Sequence, residues 1–172
     1  KYGAKCWFSR PAELSRDHSP KIPAIRHALL ESEKKFNCKF DQIMDLDATA
    51  PLRNVQDIRK AYSIFLQDGL DNLITGTRSR KNPYFNMIEI KNGEIELSKK
   101  LKNTPVARQQ APQVFDMNAS IYIWSRDFLI KEDGLFSGKL GFYEMPEDRS
   151  IDIDSQLDWE VVKMIMEQKS NG

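Results

Sequence analysis

Apolar and polar positions alternate along this chain in two rhythms, one of period two and one repeating every third or fourth residue. Ile22, Ile25 and Leu29 share one helical face, with Ser19 as a cap and Pro20 at the first position. Val55, Ile58, Tyr62 and Phe65 form a second stripe, opened by Asn54 and ended by Gly69. Leu157, Val161, Val162 and Ile165 form a third, which Asp154 or Ser155 can cap. A short helix is predicted over residues 126–130. Short extended runs fall between the helices, at residues 43–47, 72–77, 121–124, 138–145 and 151–154. Residues 84–90 and 94–97 flank Asn92-Gly93, and Asn-Gly between extended runs is the strongest short hairpin signal. Residues 1–8 read as the end of a helix, a turn at Gly3 and a short strand, as if the chain joined a fold midway.

Strand–helix alternation predicts an α/β fold: a doubly wound, mostly parallel sheet with flanking helices and an inserted β-hairpin. No linker, repeat or low-complexity tract divides the chain, so residues 1–172 read as one domain. Residues 134–143 are apolar and punctuated by glycine, and read as a protruding contact arm, which makes self-association the expectation. The alternative is a surface loop whose aromatics fold back on their own core. Composition narrows the picture: 40% hydrophobic and 30% charged residues are ordinary for a soluble globular chain. A net charge of +1 gives no electrostatic pull toward nucleic acid or an anionic membrane. No apolar run approaches a membrane span, and no secretory signal pattern opens the chain. Cys6 and Cys38 read as free thiols of a cytoplasmic protein, and with His18 and His27 they match no recurring zinc spacing.

Candidate chemistry gathers in three segments. In Ser150-Ile151-Asp152-Ile153-Asp154-Ser155, two carboxylates alternate with apolar residues and so share one face of the expected strand, at a strand–helix junction. Such a pair suits Mg²⁺ shared with phosphates, because that ion prefers one or two protein carboxylates plus substrate oxygens. The alternative is one capping and one solvated aspartate. Asp47-Ala48-Thr49-Ala50-Pro51-Leu52-Arg53 follows an apolar strand, and ligands of doubly wound sheets bind outside the carboxyl ends of strands. Asp47, Thr49 and Arg53 offer a carboxylate, a hydroxyl and a guanidinium there, unless Pro51 and Asn54 only set up the next helix. The third segment runs from Arg108-Gln109-Gln110 to Asn118 and Tyr122. Arg108 can fork onto a carboxylate or phosphate, and Gln109 and Asn118 can read hydroxyl or amide groups of a sugar; a plain solvated loop is the alternative.

Together with Arg10-Pro11-Ala12-Glu13-Leu14, these segments occur in an order and spacing that closely resembles the acylneuraminate cytidylyltransferases. The resemblance spans residues 2–166, and Pro20-Lys21-Ile22-Pro23 with Asn82-Pro83-Tyr84-Phe85-Asn86-Met87 looks more like the bacterial legionaminate-type branch. The resemblance implies transfer of CMP from CTP to a nine-carbon 2-keto (nonulosonic) sugar acid, with release of pyrophosphate. It also implies Mg²⁺ as cofactor, a role in bacterial surface glycans such as lipopolysaccharide, and a homodimer in which an arm reaches the neighbour's site. By the same resemblance, Asp152 and Asp154 hold the metal and, with Arg108, carry catalysis. Arg10 then lies near the cytosine base of CTP, and Asp47, Thr49, Gln109, Asn118 and Tyr122 bind the sugar; Lys21 is a further candidate for CTP, with contact to solvent alone as the alternative. Such phosphoryl chemistry depends on positioning and charge neutralisation more than on covalent catalysis.

Three departures qualify it. Asp47-Ala48-Thr49-Ala50-Pro51 stands where the family commonly has Gln-Pro-Thr-Ser-Pro. Asp for Gln removes two amide donors and adds charge, so Asp47 is expected to meet a hydroxyl or amide donor of a sugar other than plain sialic acid. Ala119 stands where glycine usually follows the asparagine, which restricts the backbone there. Nothing matches the glycine-rich triphosphate loop with which the family opens. The chain is therefore expected to be N-terminally truncated relative to the family, to expose a sheet edge and not to turn over CTP by itself. Two other functions stay open: a cytidylyltransferase for another acidic sugar such as Kdo, and a non-catalytic sugar- or nucleotide-binding remnant.

Overall fold

A computed structural model describes residues 3–16, 18–103 and 105–170; Lys1 and Tyr2, on which the predicted opening helix end falls, lie outside the described residues. The element order is α1 (Lys21–Phe36), β1 (Gln42–Leu46), α2 (Val55–Gln67), β2 (Asn72–Arg78), β3 (Ile88–Lys91), β4 (Glu94–Leu97), β5 (Phe115–Met117), β6 (Ile121–Ser125), α3 (Arg126–Lys131), β7 (Leu140–Glu144) and α4 (Gln156–Ser170). Residues 4–8 form no strand. They lie on α1 through edge-on ring contacts, Trp7 with Phe36 and Phe8 with His27.

The central sheet is mixed, which corrects the mostly parallel expectation. Strand β6 lies between β1 and β2 and is antiparallel to both. Strand β5 continues along the same edge of β2, also antiparallel, while β7 covers the opposite edge in parallel. Parallel neighbours need a crossover connection, normally a helix. Between β2 and β6 the chain instead runs through the β3–β4 hairpin and a long loop, so it can return antiparallel. The pattern of alternating elements did not separate these two cases. Helices on both faces, in contrast, hold as expected. Ile74, Tyr122 and Trp124 face α1 and α3, where they meet Ile22, Leu29, Phe128 and Leu129. Leu73, Ile121 and Ile123 face the other way, onto Ala61, Phe65, Leu70 and Met145. The alternation of strand side chains thus supplies two cores from one set of strands.

Helix starts follow local chemistry. At α2, Asn54 accepts from Asp57 N (2.9 Å) while Asp57 accepts from Asn54 N (3.0 Å), a complete capping box. Helix α1 begins one residue later than predicted, with Pro20 in the cap position. Ser19 turns away, its hydroxyl donating to Glu13 O (2.9 Å) and accepting from Arg16 N (3.1 Å). Of the two candidate caps for α4, Ser155 is the one used: its hydroxyl accepts from Asp158 N (3.3 Å), and Asp158 accepts from Ser155 N (2.8 Å).

The contact arm expected at residues 134–143 is not an arm. Its second half is β7, paired along β2 from Leu140 to Glu144. Gly141 packs closely there: a Cβ would meet Leu70 Cδ1 at 2.0 Å, so a larger residue would need that side chain to turn. The hairpin is where Asn92-Gly93 predicted it, as a separate two-stranded sheet with Ile90 opposite Ile95 and Ile88 opposite Leu97. Strand β1 pairs only with β6 among the described residues, so its other edge is open.

Candidate active site

Strand β1 delivers Asp45 and Asp47 on one side of its end, as period-two geometry demands. The loop that follows is locked from below. Arg53 Nη1 donates to both Asp47 O and Ala50 O at 2.6 Å, and Ala50 and Leu52 are buried. Asp47 Oδ1 accepts from Thr49 N (3.2 Å) and Thr49 Oγ1 (3.1 Å). Lys21, at the first turn of α1, places its ammonium 2.8 Å from Asp45 Oδ2 and 2.9 Å from Asp47 Oδ2. The same ammonium stands 4.4 Å over the Tyr122 ring, which lies parallel to Trp124 at 5.4 Å.

The electrostatics follow from this packing. Burial alone opposes the Lys21 charge, but hydrogen bonds to Asp45 and Asp47 outweigh it and raise Lys21 above the ordinary lysine value. Burial likewise pushes Asp47 upward, yet Lys21 and Thr49 win and hold it below the ordinary carboxylate value. Tyr122 is raised, first by burial and then by the negative field of Asp45, Asp47 and Asp152, against the pull of Lys21. A cavity of about 440 Å³ opens here, lined by Arg10, Ser15, Lys21, Asp45 and Asp47.

Asp152 reaches the same neighbourhood by a route not foreseen. Residues 151–154 form no strand, which corrects the expectation of two aspartates on a strand face. A single bond, Ile153 N to Thr49 O at 2.9 Å, ties the segment to the Asp47 loop; one bond is no ladder. Asp152 Oδ1 is buried with no hydrogen-bond partner among the described residues, and the exposed Asp154 follows it before α4. Among the described residues no group of three or more His, Cys, Asp and Glu is placed to hold a metal. Mg²⁺ does not need one, since it binds through one or two carboxylates and completes its shell with substrate oxygens and water. The unpartnered Asp152 oxygen fits that donor set.

Other predicted residues lie elsewhere. Arg108 and Gln109 line a separate cavity of about 520 Å³ with Arg78, Arg80 and Glu147. Arg108 Nη2 donates to Ser79 O (2.9 Å). Asn118 is buried and engaged: it accepts from Thr75 Oγ1 (2.7 Å) and Ser120 N (3.2 Å), and donates to Ser150 Oγ (3.0 Å). Its amide organises the β5–β6 junction. The next residue, Ala119, sits at φ 48°. The left-handed region costs a non-glycine residue about 1–2 kcal/mol, so the alanine that replaces the usual glycine carries strain.

Three charged residues near the site escaped sequence reasoning. Asp45 was legible in principle, two positions before Asp47 on one strand. Asp57 and Arg149 were not. Arg149 Nε and Nη2 donate to Asp57 at 2.8 and 3.0 Å, and Tyr143 adds a hydroxyl at 3.2 Å. This buried pair joins the start of α2 to the segment leading into Asp152. Only the Asn-x-x-Asp capping box hinted at Asp57.

No family model matches the chain. Individual proteins do. The chain is 46% identical over 170 residues to "Post-translational flagellin modification protein B" of Campylobacter coli, covering 99% of this chain and 72% of that one. It is 45% identical over 170 residues, with the same coverage, to "CMP-N,N'-diacetyllegionaminic acid synthase" of Campylobacter jejuni. It is 28% identical over 168 residues to "N-acylneuraminate cytidylyltransferase" of Oncorhynchus mykiss, covering 93% of this chain and 36% of that one. No helix among the described residues is long and apolar enough to cross a membrane. On this similarity along nearly its whole length, the chain belongs to the acylneuraminate cytidylyltransferase family of nucleotidyltransferases.

Proposed function

We propose that the protein transfers CMP from CTP to a nonulosonic acid of the legionaminic type. The anomeric hydroxyl oxygen bonds to the α-phosphorus, the bond to the pyrophosphate oxygen breaks, the hydroxyl proton is released and pyrophosphate leaves. One observation carries this reading: Asp47, Thr49, Lys21 and Tyr122 form a connected polar cluster, of which Asp47 and Lys21 line the cavity, and Asp152 brings an unpartnered oxygen into its field. That arrangement lies in a chain 45% identical to a CMP-N,N'-diacetyllegionaminic acid synthase. Asp47, Thr49 and Tyr122 read the sugar, and Arg10 borders the same cavity on the nucleotide side. Mg²⁺ held by Asp152 and Asp154 would neutralise phosphate charge during the displacement. Arg108 and Gln109, in their own cavity, supply a guanidinium and an amide for an anionic group.

Calorimetric titration tests this. N,N'-diacetyllegionaminic acid should bind the chain, and Asp47→Ala should weaken that binding about tenfold, the cost of losing a charged hydrogen bond. CTP binding should depend on Mg²⁺ and fall in Asp152→Asn. No heat with the sugar acid at high concentration would overturn the proposal.

The reading includes a cytoplasmic homodimer. The free thiols of Cys6 and Cys38 favour a reducing compartment. The dimer is supported by the hairpin, where Ile88, Ile90 and Ile95 on one face are 60%, 71% and 69% exposed. The opposite face carries charge, with Lys91 paired to Glu89 and Glu96. A lone two-stranded hairpin is marginally stable, and the same face of a second copy would cover it isologously. Sedimentation should show a dimer at micromolar concentration that Ile90→Asp converts to monomer; a monomeric wild type would refute the dimer.

A further inference from the structure

The lysine at the first turn of α1 is spoken for. A phosphate ligand must offer its ammonium to the nucleotide, yet Lys21 Nζ is already within 2.9 Å of two carboxylates and backed by the Tyr122 ring. The two carboxylates already share Lys21 and the neighbouring Arg53, so the cluster has no uncommitted positive charge for an incoming anion. What it offers instead is acceptor capacity. A carboxylate has about four lone-pair sites. Asp47 gives one oxygen to Thr49 N and Thr49 Oγ1 and the other to Lys21, so it is nearly saturated. Asp45 differs: its buried Oδ2 has the ammonium at 2.8 Å and no hydrogen-bond partner among the described residues, so it keeps acceptor capacity. Asp45 also borders the 440 Å³ cavity.

We infer that Asp45 reads an uncharged donor group of the sugar acid, an acylamino N–H or a hydroxyl, and that Lys21 is the positioning residue that aims it. The inference rests on the sugar site proposed above and deepens it. The carboxylate end of the sugar and the phosphates of the nucleotide find no free ammonium here, because Lys21 is shared between two carboxylates. Lys21 bridges the two carboxylates and so holds them in position. Trp124, fully buried, backs the Tyr122 ring and so limits where the ammonium can go.

The test compares two probes that differ in their donor-bearing substituents, N,N'-diacetyllegionaminic acid and N-acetylneuraminic acid, by calorimetric titration of the 172-residue chain. Wild type, Asp45→Asn, Lys21→Met and Lys21→Arg are compared, each checked for folding by thermal melting. Asp45→Asn should change the ratio of the two affinities by about tenfold, the size of one charged hydrogen bond. Lys21→Met should shift the same ratio in the same direction, Lys21→Arg should restore it, and Mg²⁺–CTP affinity should move less than about twofold in all three. A merely structural clip would weaken both sugars equally and leave the ratio unchanged, and that result overturns the inference while the sugar site survives. A selective loss of CTP affinity in Lys21→Met also overturns it, by making Lys21 a phosphate ligand. If wild type binds neither sugar, the functional proposal itself fails, and the inference with it.

Discussion

Replacing Arg149 with alanine should destabilise the protein by about 3 kcal/mol or more, because it strands a buried charge. Asp57 is 1% exposed and accepts from Arg149 Nε, Arg149 Nη2, Asn54 N and Tyr143 Oη. Without the guanidinium, only one amide and one hydroxyl remain to compensate an ionised carboxylate. For a chain of this length the loss corresponds to a fall in Tm of roughly 6–12 °C. Adding Asp57→Asn to Arg149→Ala should recover part of the loss, since a neutral amide tolerates burial better. The pH dependence has a definite sign. Burial pushes Asp57 upward, but Arg149, the Asn54 amide and Tyr143 overcome it and hold the carboxyl below its ordinary value. The stabilisation is therefore fully present above the unfolded pKa of about 3.9 and is lost as pH falls through the depressed folded value. The gap between wild type and Arg149→Ala should narrow in acid, where the stranded carboxylate can take a proton. Thermal melts across pH 3–7 measure this; equal Tm values at neutral pH would refute the buried pair.

Gly76→Ala should be the most damaging single-methyl addition in the sheet. Gly76 sits mid-strand in β2, opposite Met117 of β5 and Glu144 of β7. A Cβ there would stand 2.5 Å from the backbone oxygen of Asp116 and 3.0 Å from the Phe142 ring. A backbone oxygen cannot rotate aside, so β5 would have to leave β2. Overpacking of this kind costs about 1–3 kcal/mol, and the upper part of that range is expected. Gly141→Ala is the control. Its closest clash is nearer, at 2.0 Å, but the obstacle is the tip of the Leu70 side chain, which can turn. Chemical denaturation should therefore rank Gly76→Ala below Gly141→Ala and both below wild type. A Gly76→Ala variant as stable as wild type would mean that β2 and β5 do not approach so closely.

Local chemistry was legible wherever neighbours in sequence settle the outcome. Asn54 and Gly69 bracket α2, Asn92-Gly93 turns the hairpin, and the short extended runs became β1, β2, β6 and β7. Loop residues of the candidate site were legible for the same reason, because Asp47, Thr49 and Arg53 interact within seven positions of one another. Strand direction was not legible. Whether β6 runs with or against β1 depends on how the chain travels through residues 79–120, and no local propensity records that path. The segment around Asp152 was misread because alternation alone does not make a strand. Without a partner edge beyond one bond to Thr49 it stays irregular.

What the sequence determined by itself is the helices, the hairpin, strands β1, β2, β6 and β7, the helices on both sheet faces and the family, since these rest on periodicity, capping and residue order. Tertiary structure alone decided who meets whom across long separations. It put Lys21 between Asp45 and Asp47, Arg149 on Asp57, and Arg108 in a cavity apart from all of them. The physical reason is that desolvation and Coulomb energy depend on distance through space, which a one-dimensional pattern does not contain.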